Sequence, residues 1–401
     1  MVDTAEMKDR YRWVVLGVLW ITYIVVFLHR LSVGPLAPFL KENFGLTSAQ
    51  VGLTMAAASM GYMVSIFPTG WVVDKIGAKW PIVVGTLIAG VSMLSVFFIS
   101  SYIGLLILTS LTGMGCGFLF PSTTQGVIVW FGPGERATAM GLKQTAVNIG
   151  GILSAATLPS IALALGWRYC FLFLGFISLA VGVLACILYR DPPNPIGASV
   201  SAALPTSEIF KSQEIWLLAF SGLFLTWVEM ALITHLVLYL REVLLMAVVA
   251  AGGLLAFTQA AGAIARPITG VLSDQLFQGK RKGIFMLMAA TALLMVLILG
   301  FFGSYLSWML YPILFFLGVG AIGFGGIYIT LLSEFGGHHG AGKAVGLGGM
   351  LVMIGSALGP IAFGHIVDIS GSYRLAWLSL AFVSALCLGC LLFVNEEKKK
   401  I

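Results

Sequence analysis

GWVVDKIGAK, Gly70 to Lys79, returns in degraded form as GVLSDQLFQGKRK, Gly270 to Lys282. In both, an acid follows a glycine by four positions and basic residues come after it. Gly70 and Asp74 thus answer Gly270 and Asp274 at an offset of 200, and Leu40-Lys41-Glu42 answers Leu240-Arg241-Glu242 at the same offset. Further along, Gly141 answers Gly346 and Gly150 answers Gly355 at an offset of 205. The chain is two copies of one unit. Each polar turn is flanked by runs apolar enough to cross a bilayer, so the turns read as connections between membrane spans.

Composition agrees. The 401 residues are 59% hydrophobic and 9% charged, with 49 glycines, a balance foreign to soluble domains of this size. Twelve helical spans are expected, at about 13–40, 49–73, 80–99, 103–130, 137–164, 169–189, 215–240, 248–272, 284–302, 306–332, 344–366 and 375–394. The longest polar connection, Arg190 to Gln213, is rich in Pro, Ser and Gly and reads as a linker. The expected division is therefore 1–190, a six-helix bundle; 191–213, a cytoplasmic linker; and 214–401, a second six-helix bundle. The first apolar run is too long for a signal peptide and counts as a span.

The net charge of +6 is distributed as a membrane protein requires rather than as a nucleic-acid binder would have it. With the N-terminus inside, 15 Lys and Arg fall in cytoplasmic segments, 4 in the opposite loops and 3 within spans, which accounts for all 22. Both termini are expected in the cytoplasm, at the cell (inner) membrane. The five cysteines lie in apolar runs, and the Cys387-x-x-Cys390 pair lacks the further ligands of a metal or redox site. No nucleotide-binding loop and no hydrolytic triad stands out, so neither an enzyme nor a cofactor is expected.

The turn at Gly70, Asp74, Lys75, Gly77 and Lys79, echoed at Asp274, resembles the cytoplasmic gating-loop signature of the major facilitator superfamily. Twelve spans and the internal duplication extend that resemblance over nearly the whole chain. It implies an all-α membrane fold of two pseudo-symmetric six-helix bundles, working by alternating access. Thr109-x-x-x-Gly113-x-Gly115-x-Gly117 is similar to the superfamily's fourth-span signature, with Thr109 where the family has a basic residue. ARPITG, Ala265 to Gly270, resembles the eighth span of monocarboxylate and related organic-anion carriers. There the arginine binds the substrate carboxylate, which implies that role for Arg266. The family's acid four positions earlier is Gly262 here.

Depth singles out the embedded charges. Arg30 precedes Lys41 by 11 residues, about 16 Å of helix, and Arg266 precedes Asp274 by 8, about 12 Å. Lys143 follows Arg136 by 7, about 10 Å, and Glu229 precedes Leu240 by 11. Three cations thus face a single embedded acid, and ionisable groups at such depth mark substrate or ion paths unless they serve as structural pairs. Arg suits bidentate capture of a carboxylate, Lys143 is a flexible point charge, and Gln144 beside it is a possible donor. The expected substrate contacts are Arg266, Arg30, Lys143 and Gln144.

The 200-residue offset sets His29 against Glu229, so Glu229 is the expected proton carrier and His29 its relay; ionised pairing of Glu229 with an arginine is the alternative. The expectation is proton-coupled uptake of a small organic anion by a monomer that binds anion and proton within the lipid bilayer. The alternatives are an exchanger of small anions of the nitrate/nitrite or dicarboxylate/formate type, and a membrane sensor that does not transport.

Overall fold

The computed structural model describes residues 4–192, 210–275, 280–303 and 309–398. Within them every regular element is helical, and twelve helices are long and apolar enough to cross a membrane. The expected all-α, twelve-span architecture is borne out. Most of the expected linker, residues 193–209, lies outside the described residues.

The elements run α1 (Thr4–Arg30), α2 (Val33–Phe44), α3 (Ser48–Ile76), α4 (Lys79–Val96), α5 (Tyr102–Trp130), α6 (Pro133–Leu165) and α7 (Trp167–Leu188). After the linker come α8 (Gln213–Glu242), α9 (Val248–Gln275), α10 (Arg281–Phe302), α11 (Leu310–Ala321), α12 (Gly325–Ser370) and α13 (Tyr373–Phe393). The first span is α1 and α2 together, a helix broken at Leu31–Ser32. Pro35 lacks the N–H that would reach back to Leu31, and the Ser32 hydroxyl donates to the His29 carbonyl at 2.7 Å instead. A second break, at Ile322–Phe324, separates α11 from α12. Within α12, Gly337 has φ 62° and ψ −178°, so two spans meet there end to end.

The chain forms two compact units. One comprises 1–36 and 57–199; the other comprises 37–56 and 200–401. In the first, α4 packs on α5 and α7, and α1 on α5, α6 and α7. In the second, α8 packs on α12 and α13, and α11 on α9 and α10.

Glycine sets the closeness of these contacts. A Cβ at Gly113 would lie 2.0 Å from the Ala58 carbonyl oxygen, and one at Gly318 would lie 2.1 Å from that of Thr258. Ala58 and Thr258 are 200 apart and the two glycines 205 apart, so both units seat the equivalent glycine on the equivalent carbonyl. Gly115 against Gly85 and Ala89 is repeated in the same way by Gly320 against Met288 and Ala292. Without a hydrophobic force between helices in lipid, such backbone approach is what packs them.

Gly113→Val or Gly318→Val should therefore lower stability by about 1–3 kcal/mol, because a backbone carbonyl has to move. Gly141→Ala, with nothing within 4 Å of its Cβ, should leave the melting midpoint of the detergent-purified protein unchanged.

Candidate functional site

Arg30 ends α1, directly before the break in the first span. It is buried, and its guanidinium carbon sits 4.6 Å from the centroid of the Tyr62 ring. A cavity of about 10 Å³ adjoins it, lined by His29, Tyr62, Thr109, Thr112 and Cys116 among others. That is room for a single water, not for an organic anion. Thr109, which replaces the family's basic residue, therefore lines the same cavity as Arg30. Its hydroxyl is turned back onto the Leu105 and Leu106 carbonyls of its own helix. His29 is also tied to its own helix, with Nδ1 donating to the Val25 carbonyl at 2.5 Å.

Lys143, on α6, is almost completely buried. Its Nζ donates to the hydroxyls of Thr123 (3.2 Å) and Thr124 (2.9 Å), and lies 4.4 Å from the Tyr23 ring centroid and 5.4 Å from that of Phe120. No carboxylate among the described residues pairs with it. Gln144 is half-buried, and its Oε1 has no hydrogen-bond partner among the described residues. The acids of this unit's sequence are Asp3, Glu6, Asp9, Asp74, Glu135 and Asp191. All lie at or beyond span ends, so its membrane interior holds Arg30 and Lys143 and no carboxylate.

Arg266, in the second unit, is half-buried on α9. Its Nη2 donates to the carbonyl of Ile322 at 3.2 Å, inside the break between α11 and α12. Gly262, where the family carries an acid, has no room for one: its Cβ would lie 2.6 Å from Ile322 Cβ and 3.0 Å from the Gly318 carbonyl oxygen. Glu229 is half-buried on α8. One turn and a half further on, His235 is fully buried, with Nε2 2.9 Å from the Pro360 carbonyl oxygen and its ring stacked on Phe363 at 4.9 Å. A carbonyl oxygen only accepts, so Nε2 is the donor. His235 is a packing residue.

At the gating loop, Gly77 has φ +81°, and a Cβ there would strike the Asp191 carboxylate at 2.5 Å. Asp191 accepts from the backbone N–H groups of Ala78 (2.9 Å) and Lys79 (3.2 Å). Asp74 and Lys75 are exposed, and Asp74 makes no hydrogen bond or ion pair with the described residues. Gly70 has open space around it. Asp274 falls in the last turn of α9, with its side chain outside the described set. Sequence reasoning missed Asp191 because it was counted with the linker, although an acid just past a span end is an N-terminal cap candidate for any neighbouring helix.

The segment 37–56 is fastened within the second unit. Asp368 accepts from the N–H groups of Ser48 (2.8 Å) and Ala49 (2.7 Å), the N-terminus of α3. Lys41 pairs with Glu242 at 2.8 Å, and the Tyr373 hydroxyl donates to the same carboxylate at 2.9 Å. The Lys41 of one repeat motif thus meets the Glu242 of the other. A Cβ at Gly52 would lie 2.2 Å from the Pro360 carbonyl oxygen, so no side chain separates the two backbones. Among the described residues, no group of His, Cys, Asp and Glu is arranged to hold a metal ion.

The family model of the Major Facilitator Superfamily matches residues 19–360, and the chain belongs to that superfamily. It is similar to a probable sulfoacetate transporter of Cupriavidus necator, 26% identical over 434 residues and covering 98% of each chain. The membrane sensor protein UhpC of Salmonella typhimurium is 27% identical over 99% of this chain and 95% of its own. The hexuronate transporter of Bacillus subtilis is 24% identical over 90% of this chain and 89% of its own. Among solved structures, a bacterial homologue of the human lysosomal transporter Spinster, in an inward-facing and occupied conformation, superposes with a TM-score of 0.84. It is 17% identical and covers 98% of this chain and 99% of its own, a likeness of fold. The chain is a multi-pass membrane protein of this superfamily.

Asp368→Ala should cost about 1 kcal/mol, the scale of a lost helix cap. Hydrogen exchange read by mass spectrometry should speed up at Ser48 and Ala49, while Asp368→Asn, which keeps one acceptor, should fall between Asp368→Ala and the parent.

Proposed function

We propose that the protein is a secondary active transporter that takes up a small organic anion, a carboxylate or sulfonate, together with protons. The supporting observation is Lys143 of the first unit, almost completely buried and paired with no carboxylate among the described residues. A buried cation without a counter-charge is unfavourable by several kcal/mol, and an anionic substrate supplies the balance. Arg30 provides the fork suited to a carboxylate or sulfonate, and Gln144 a free amide beside Lys143. Arg266 is the candidate in the second unit, where it also secures the backbone at Ile322. Glu229, the embedded acid of that unit, is the candidate for a proton carried with the substrate, and His29 the candidate for sensing it. The similarity to a probable sulfoacetate transporter and to a hexuronate transporter favours two-headed or polyhydroxylated acids over nitrate or formate. The excess of Lys and Arg on one side supports cytoplasmic termini, and the reading places the chain in the cell membrane. Nothing in the site calls for chemical conversion of the substrate.

A thermal-shift screen of sulfoacetate, glucuronate, lactate, succinate and nitrate on the purified chain tests the reading, since a ligand stabilises by RT ln(1 + [L]/Kd). At least one organic anion should raise the midpoint, and Arg30→Ala should weaken its effect tenfold or more. Arg266→Ala will itself melt lower, so the ligand-dependent shift is what decides its role; an undiminished shift removes Arg266 from the binding set. Glu229→Gln should abolish accumulation driven by a pH gradient in proteoliposomes while sparing counterflow. The similarity to UhpC supports a second reading, a sensor. Saturable anion binding with no counterflow of that anion would establish it.

A further inference from the structure

The first unit has no acid in its membrane interior, yet its buried lysine is surrounded in a particular way. An ammonium has three hydrogens and a neutral amine has two. The hydroxyl of Thr124 spends its hydrogen on the Phe120 carbonyl at 2.8 Å, and that of Thr123 on the Leu119 carbonyl at 2.7 Å. Both therefore present only lone pairs to Lys143, at 2.9 and 3.2 Å. Two acceptors match the two N–H bonds of a neutral amine. The third hydrogen of the ammonium meets no oxygen, only the faces of Tyr23 and Phe120. Cation–π attraction holds such a charge at roughly 1–2 kcal/mol, far less than a carboxylate would.

The cage is also connected to Arg30. Tyr23 shares a side-chain hydrogen bond with Tyr62, and the Arg30 guanidinium lies over the Tyr62 ring. The two buried cations of the unit are therefore bridged by a pair of tyrosines. Other ionisable groups are remote or engaged. On α1, His29 and Arg30 lie beyond Tyr23; on α5, Cys116 is the nearest, with Sγ on the Val26 carbonyl. On α6, Arg136 donates to the Ile128 carbonyl and Glu135 binds Arg12. On α7, Arg168 holds the Ile99 carbonyl, and Cys170 donates to that of Leu158.

We propose that Lys143 is a proton carrier whose third hydrogen is exchanged during the transport cycle, with Tyr23 and Tyr62 linking its charge to the occupancy of Arg30. The step balances simply: the N–H bond breaks heterolytically, the proton passes to water, the electron pair stays on nitrogen, and the two remaining N–H bonds keep Thr123 and Thr124. An anion on Arg30 favours the ammonium by Coulomb attraction. Its departure removes that attraction, which favours loss of the proton. Lys143 is thus a second protonatable group beside Glu229, and its role in coupling rests on the anion-carrier reading. Its titration does not.

The test is therefore in two arms. Potentiometric titration of the full chain in detergent, between about pH 5 and pH 9 where buried lysines titrate, compares the parent with Lys143→Met, isosteric and always neutral, and Lys143→Arg, always charged. Each variant should exchange one proton fewer per chain. Parent-like curves for whichever variants elute as monodisperse protein would overturn the proposal. Tyr23→Phe keeps the ring and should keep the step; its loss there would assign the proton to the phenol and equally defeat the idea. The second arm is counterflow and pH-driven accumulation of radiolabelled sulfoacetate in proteoliposomes. For Lys143→Arg the ratio of pH-driven accumulation to counterflow should fall tenfold or more, and a parent-like ratio would remove the coupling role. Absence of counterflow in the parent counts against sulfoacetate as substrate and leaves the proton count standing on its own.

Discussion

Hydrocarbon offers no water to a peptide group or to a cation, and most of what is distinctive here follows from that. Helices solve the backbone problem as long as they are continuous. This chain breaks two of them, at Leu31–Ser32 and at Ile322–Phe324, and an arginine attends each break. Arg30 is the last residue before the first. Arg266 donates into the second, to Ile322. An interrupted span frees carbonyls, and a long cationic side chain is one of few groups able to satisfy them while keeping charge available. The two arginines that depth singles out as candidate substrate contacts thus stand at the backbone irregularities.

The close glycine contacts depend on the same constraint. Association of helices in lipid gains little from burying apolar surface, so contact distance sets the energy. Gly113 on Ala58 and Gly318 on Thr258 are equivalent solutions in two copies of one ancestral unit. The embedded polar residues are not shared in this way. Arg266 corresponds at an offset of 200 to Ile66, Arg30 to Met230, and Glu229 to His29. Packing was kept on both sides of the duplication while the chemistry diverged, which is what separates scaffold from site.

The fold was legible because it rests on period and spacing: apolar runs of span length, two offsets, and a charge asymmetry. The breaks were not, because a proline inside a span signals only a chance of one, and Ile322–Phe324 contains none. Arg30, Arg266 and Lys143 were legible as costly charges. Among their partners are a backbone carbonyl, aromatic faces and threonine hydroxyls, groups too common in any span for sequence to single out. Asp191 and Asp368 show the same limit. Each caps a helix N-terminus far away in the chain, and pairing of that kind leaves no local pattern.

Lys41 and Glu242 carry the argument one step further. They stand at neighbouring positions of one repeated motif, yet the ion pair joins one copy of that motif to the other, beside an Asp368 carboxylate on two backbone N–H groups. The corresponding acid of the gating turn, Asp74, is exposed and unengaged among the described residues. Exposed ion pairs contribute about 1 kcal/mol or less and single caps about as much. Both lie within the second unit, where a third contact, Gly52 against the Pro360 carbonyl, brings the same segment to backbone distance and leaves no side chain between.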